Sequence, residues 1–425
     1  MIDLKYLRDH PEVVRSSMRK RHHSGDEVDA VLSLDEEWRR LFTRQNNLRA
    51  DQKKRSEEIA KRKRNKEDVA ADLLEMKELA QLVRELEIPL KEKEEALQGL
   101  LAKLPNLLHI SVPEGSDDSD NPCLRSWGEI PSFSFTPLPH WELASRLKLF
   151  DLERGSKVAG SGFILYTGWG AKLERALINW MLDFHSQKHG CREVFPPFVI
   201  NRETAFGTGK LPDFEGQMYT FTNADFFLNP TAEVPVTALF AGEILKAEEL
   251  PLFYTAYTAC FRREAGAAGK DTRGLLRVHQ FDKVELVKFT RPEQSYAELE
   301  TLVRDAEEIV QALELPYQVT ELCGGDIGFG AAKAYDINVW SPGAGKWLEV
   351  SSCSNCTDFQ ARRLNTRFRN PESGKLEFVH TLNGSGVALP RTVAALLENR
   401  QQADGSVRLP PVLFPYMGIE RIPST

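Results

Sequence analysis

The chain has 425 residues, 41% hydrophobic and 28% charged, with a formal net charge of −7. That composition is ordinary for a folded globular protein and excludes wholesale disorder, while the length exceeds what one core usually fills, so two domains of unequal size are expected. The negative balance argues against nucleic-acid binding by overall charge, yet nine basic residues lie between Arg49 and Lys66 against three acidic ones, a local basic segment in an acidic chain. No apolar run approaches the roughly 20 residues that span a bilayer, and MIDLKYLRDH has no signal-peptide core. A cytoplasmic, non-membrane protein is expected, its six dispersed cysteines free.

From Val28 to Leu104 the pattern is helical. Val31, Trp38, Gln45, Gln52 and Ile59 fall seven apart, with Leu34, Leu41 and Leu48 beside them, and Val69, Met76, Val83, Leu90, Leu97 and Leu104 form a second heptad series. A polar turn near Arg64-Asn65 joins the two, which predicts an antiparallel two-helix coiled-coil arm (about 28–104) within an N-terminal domain of 1–112. At about 1.5 Å per residue the arm reaches on the order of 50 Å. Pro89 should kink the second helix.

The Ser-, Asp- and Pro-rich stretch 113–138 reads as a linker. Residues 139–425 follow as a mixed α+β body on an antiparallel sheet. It opens with a helix over 170–188 carrying Leu173, Leu177, Trp180, Met181 and Phe184, and REVFPPFVIN comes next.

Thr231-Ala232-Glu233 reads as a helix N-cap or as a short hydroxyl beside a ligand-binding carboxylate. In CFRREAGAAGKDTRGLLRVHQFDKVE, alternation puts Arg262 and Glu264 on one face, and Arg277, His279, Phe281, Lys283 and Glu285 on one face of the return strand. This is either a solvated edge hairpin or a site where cation, carboxylates and ring converge. Strict strand alternation puts Glu349 and Ser351 on one face and Ser352 on the other. Cys353 and Cys356 form a CxxC with no second ligand pair, so no structural zinc is expected. In NGSGVALPRTVAALLEN a Gly-rich turn precedes a helix with Arg391 near its start, a phosphate-binding arrangement or merely a helix start.

These segments resemble the class II aminoacyl-tRNA synthetases, seryl branch: helix 170–188 with Pro196-Pro197 is similar to motif 1, FRRE…RVHQF to motif 2, and NGSGVALPR to motif 3. The resemblance implies a class II catalytic domain at 139–425, a homodimer built through motif 1, ATP with Mg²⁺, and joining of L-serine to tRNA(Ser), with tRNA(Sec) left open. It implies that Arg262 and Arg391 are the catalytic residues on the α- and γ-phosphates, and that Arg263, Glu264, Val278, Phe281, Glu349, Val350, Ser351 and Ser352 complete the ATP site. Glu349 and Ser352 would hold Mg²⁺ bridging the ATP phosphates, hard oxygens suiting that ion, and for both to reach it the strand must bend or bulge between them. Thr231, Ala232, Glu233, Glu285, Asn383 and Ser385 would hold serine, while Lys53, Lys54, Arg55, Lys61, Arg62 and Lys63 would meet tRNA. A carrier-protein ligase and a non-enzymatic RNA-binding homologue stay open as alternatives; the arm counts against the first and intact motifs 2 and 3 against the second.

Overall fold

The computed structural model describes residues 1–265 and 273–424. The Gly-rich segment between Arg263 and Arg273, inside the stretch read above as similar to motif 2, falls mostly outside them. The chain divides into two compact units: Ile2–Pro105, and Met1 together with Asn106–Thr425.

The first unit is helical: α1 (Leu4–Asp9), α2 (Pro11–Lys20), α3 (Asp26–Arg64), α4 (Ala70–Glu85) and α5 (Glu87–Lys103). α3 packs against both α4 and α5. Val31 and Ile59 are buried on α3, and Val69, Val83, Leu90, Leu97 and Leu104 on the return, as heptad burial requires. The seam is polar at Gln45, whose buried amide donates to the Val83 carbonyl at 3.3 Å. The return helix breaks at Leu86, not at Pro89 itself. Pro89 has no N–H for the carbonyl four residues back, Glu85, so the ladder stops there and Pro89 falls in the first turn of α5, where no donor is needed.

The second unit is built on eight strands: β1 (Cys123–Trp127), β2 (Arg192–Val194), β3 (Leu252–Phe261), β4 (Gln280–Thr290), β5 (Tyr317–Glu321), β6 (Lys333–Ser341), β7 (Lys346–Asn355) and β8 (His380–Ala388). Their spatial order is β1-β5-β6-β7-β8-β4-β3-β2, antiparallel except for the parallel edge pair β2–β3. The segment read as a linker, 113–138, thus supplies the edge strand β1. Helices α6 (His140–Arg146), α7 (Gly168–Lys188), α8 (Glu233–Thr237), α9 (Ser295–Ala312), α10 (Phe359–Leu364) and α11 (Leu389–Arg400) surround the sheet.

On β4, Val284 and Leu286 enter the main core with α7, α9 and α11, whereas Val287 and Phe289 join a second cluster with Ala232, Val236 and Ala361. Alternation therefore sends Phe281, Lys283 and Glu285 to the second cluster's side, beside α8 and α10.

Candidate active site

Two bulges shape the site. Ile337 pairs with Ser351 but Asn338 pairs with Glu349, leaving Val350 as an extra residue on β7. The insertion resets the alternation, so Glu349 and Ser352 face the same cavity while Val350 drops into the main core. Likewise Val284 pairs with Val387 and Glu285 with Ser385, leaving Gly386 extra on β8. The NGSG segment read as a turn is extended strand. Its glycines answer to packing: a Cβ on Gly384 would lie 2.9 Å from the Cys353 sulfur, and one on Gly386 2.7 Å from His185 Nε2.

Arg262, Glu264, Val278, Phe281, Glu349, Ser385 and Arg391 line one cavity. It adjoins a larger polar one, which shares Glu349 and Arg391 and adds Ser352 and Asp336. The Arg262 guanidinium lies 5.2 Å from the Phe281 ring centroid and donates to the Pro230 carbonyl at 3.2 Å. Glu264 lies past the end of β3 with φ of +46°, so strand alternation does not place it; its carboxylate instead receives Arg277 at 3.4 Å. Arg391, third residue of α11, donates to the carbonyl and the carboxylate of Glu349.

The predicted serine pocket is a buried charged network. Lys210 Nζ and Gln360 Nε2 each lie 2.9 Å from a different oxygen of Glu233. Gln360 also donates to the Thr208 carbonyl and accepts from Thr381. Burial alone would raise the Glu233 carboxyl, but the Lys210 charge and hydrogen bond, with Lys283 and Gln360, hold it below the usual range. Glu285 pairs with Lys283, and burial pushes its carboxyl up despite that lysine. The Thr231 hydroxyl accepts from the Glu233 amide at 3.2 Å and keeps its own hydrogen to donate, but the N-cap of α8 is Ala232 with no side-chain capping bond, so Thr231 is not the helix cap the sequence offered. Asn383 and Ser385 are buried close by; Asn383 reaches the Cys356 sulfur.

Three predicted ATP residues stand apart. Arg263 is exposed with its amide on Gln217, Val350 is core, and the buried Ser351 hydroxyl donates to the Ser385 carbonyl at 2.6 Å. Sequence reasoning missed Lys210, Gln360 and Asp336. Asp336 pairs across from Ser352, and burial together with the Glu349 charge raises its carboxyl well above the usual range. Cys353 and Cys356 are buried free thiols, both pushed up to about 12 by burial.

On the arm, Lys53, Lys54, Lys61 and Lys63 are exposed. Arg55 is instead paired with Asp51 and Glu75, and Arg62 with Glu67 and Asp72, so these two clasp the hairpin.

A hairpin ending in Arg262, a bulged strand presenting Glu349 and Ser352, and a strand-to-helix join carrying Arg391 define the core of a class II aminoacyl-tRNA synthetase, an enzyme. A family model for the class II core domain of tRNA synthetases (G, H, P, S and T) matches residues 219–400, and one for the seryl-tRNA synthetase N-terminal domain matches 1–108. The chain is 52% identical to the serine–tRNA ligase of Caldanaerobacter subterraneus subsp. tengcongensis, covering 99% of both, and 52% identical to that of Desulfitobacterium hafniense, covering 99% of this chain and 100% of the relative. Its fold matches the seryl-tRNA synthetase of Pyrococcus horikoshii complexed with ATP (TM-score 0.95, 40% identity, 100% of each chain). It also matches the cytoplasmic Naegleria fowleri enzyme in complex with AMP (TM-score 0.87, 30% identity, 98% and 96%). The chain belongs to the seryl-tRNA synthetase family. No helix among the described residues is long and apolar enough to cross a membrane.

Proposed function

We propose that the chain activates L-serine with ATP, releasing pyrophosphate, and transfers the seryl group to the 3′ end of tRNA(Ser). The supporting observation is that Arg262, Phe281, Glu349 and Arg391 share one cavity with Ser385, next to the buried Thr231–Glu233–Glu285 pocket. Glu233 stays ionised to receive the α-ammonium; Thr231, Glu285 and Ser385 engage the hydroxyl end. The serine carboxylate attacks the α-phosphorus in line and pyrophosphate departs, leaving seryl-adenylate; a terminal ribose hydroxyl then attacks its carbonyl carbon and AMP leaves. Arg262 orients the α-phosphate and Arg391 the γ-phosphate, so catalysis is positioning and charge stabilisation with no protein nucleophile.

The residues fit Mg²⁺: the Val350 bulge turns the hard oxygens of Glu349 and Ser352 to one cavity, and a buried Asp336 oxygen there has no hydrogen-bond partner. Bound there, the ion would neutralise phosphate charge. Residues 1–112 serve as the tRNA-binding domain, with 139–425 catalytic, and a homodimer in the cytoplasm completes the reading. Charging of total tRNA with each amino acid in turn tests it; serine alone should be incorporated. Pyrophosphate exchange that proceeds with serine while no tRNA is charged would favour a carrier-protein ligase instead.

A further inference from the structure

A buried pair outside the substrate pockets reaches the nucleotide cavity through main chain. His140, first residue of α6, and Glu398, in the last turn of α11, are both fully buried. His140 Nδ1 lies 2.7 Å from Glu398 Oε1, and the His140 amide donates to the same oxygen at 2.9 Å. Ser341 and the Gly343 amide donate to the other oxygen, so the carboxylate is saturated with donors. On the far side of the ring the Leu275 amide donates to His140 Nε2 at 3.0 Å. An amide can only donate, so Nε2 carries the lone pair and Nδ1 the hydrogen, which goes to Glu398. Gly274 has φ of +67°, and a Cβ on it would stand 2.3 Å from His140 Nε2. The stem is therefore fitted closely to this ring.

Leu275 to Val278 form a wall of the nucleotide cavity. The Leu276 carbonyl faces Arg391 Nε at 3.5 Å. Arg391 and Glu398 are seven residues apart, hence on one side of α11 about two turns apart. The helix thus holds two consecutive stem residues, Leu276 through Arg391 and Leu275 through Glu398 and His140.

We propose that His140 is a positioning residue for the nucleotide site: by fixing the Leu275 amide from the Glu398 end of α11, it sets where the cavity wall and Arg391 stand relative to each other. The inference rests on the ATP-site reading above. It does not depend on which amino acid is activated.

His140→Asn keeps an amide hydrogen for Glu398 but is too short to reach Leu275, whereas His140→Gln can place a carbonyl where Nε2 stood. Affinity for Mg·ATP, measured by calorimetry without amino acid, should fall about tenfold in H140N, the scale of one hydrogen bond lost with its partner left buried. H140Q should recover most of it. In pyrophosphate exchange the KM for ATP should rise in H140N while that for serine stays within about twofold of the parent, on the same argument. A merely structural histidine would move both constants alike and would not distinguish Gln from Asn; either result overturns the proposal. If H140N does not fold, Gly274→Ala, which sets a methyl against Nε2 without removing either member of the His140–Glu398 pair, must show the same ATP-selective loss, and parent affinity there overturns it too. A parent that exchanged pyrophosphate with another amino acid would sink the serine reading while the calorimetric comparison still decided the role of His140.

Discussion

Arg391 and Glu349 are bonded to each other: one guanidinium nitrogen donates to the Glu349 carbonyl at 2.9 Å and to its carboxylate at 3.2 Å. On the function proposed above, a metal-chelated triphosphate would divide this pair, the arginine going to phosphate and the carboxylate to the metal. Arg391→Ala should slow serine-dependent pyrophosphate exchange by roughly 10²–10³-fold, the usual loss for a charge-stabilising donor. The melting temperature should barely move, because the side chain is 31% exposed. Parent-rate exchange in this variant would remove Arg391 from the site.

Serine and alanine should be sharply separated. An alanine methyl would leave Thr231, Glu285 and Ser385 buried without a hydroxyl partner, and a pocket built to bond a hydroxyl discriminates by about 10⁴ or more. Comparable kcat/KM for the two amino acids would rule out the pocket assignment. Threonine should be excluded sterically and less completely.

The arm separates two kinds of cation. Reversing the exposed Lys61 and Lys63 to Glu should raise the KM for tRNA about tenfold and flatten its salt dependence, since each phosphate neutralised contributes through counterion release. The KM values for serine and ATP should not change. Arg62→Ala should act differently, lowering the arm's unfolding midpoint by opening the Glu67 and Asp72 contacts. A tRNA KM unaffected by the double reversal across a salt series would place the RNA contact elsewhere.

Acid should weaken the fold through His185. Burial, together with the His189 ring 2.9 Å away, lowers its pKa from 6.5 to about 3. Between those values the unfolded chain takes up a proton that the folded chain refuses, so stability falls as pH falls, by at most about 1.4 kcal/mol per pH unit. Urea midpoints from pH 7 to 5 should decline more steeply in the parent than in His185→Asn, which cannot titrate. Parallel declines would refute the assignment.

Much of the fold was legible because it rests on period. The heptads gave α3 and its return, and the alternation of Phe281, Lys283 and Glu285 gave their common face on β4. The conflict between Glu349 and Ser352 was itself informative, because it called for a bend or an inserted residue, and the inserted residue is Val350. What stayed hidden depends on contacts between distant segments. Lys210 and Gln360 lie 23 and 127 positions from the carboxylate they hold, and nothing local marks either. The glycines of NGSG read as a turn because glycine usually signals backbone freedom; here they make room for Cys353 and His185. Arg55 and Arg62 looked like free charge because the acids that claim them lie on both sides of the hairpin turn or a helical turn away.

The buried Gln45 amide on the Val83 carbonyl has a consequence for the hairpin's alignment. Sliding α3 by one heptad along its partner would strand that amide among apolar side chains and part Arg55 from Glu75 and Arg62 from Asp72. Apolar heptads alone are nearly indifferent to such a slip. Gln45 acts as a notch that favours one setting of α3 against its return, the setting in which Glu75 and Asp72 meet Arg55 and Arg62. Seven residues inserted into one helix beyond Gln45 would have to loop out and could not lengthen the arm smoothly.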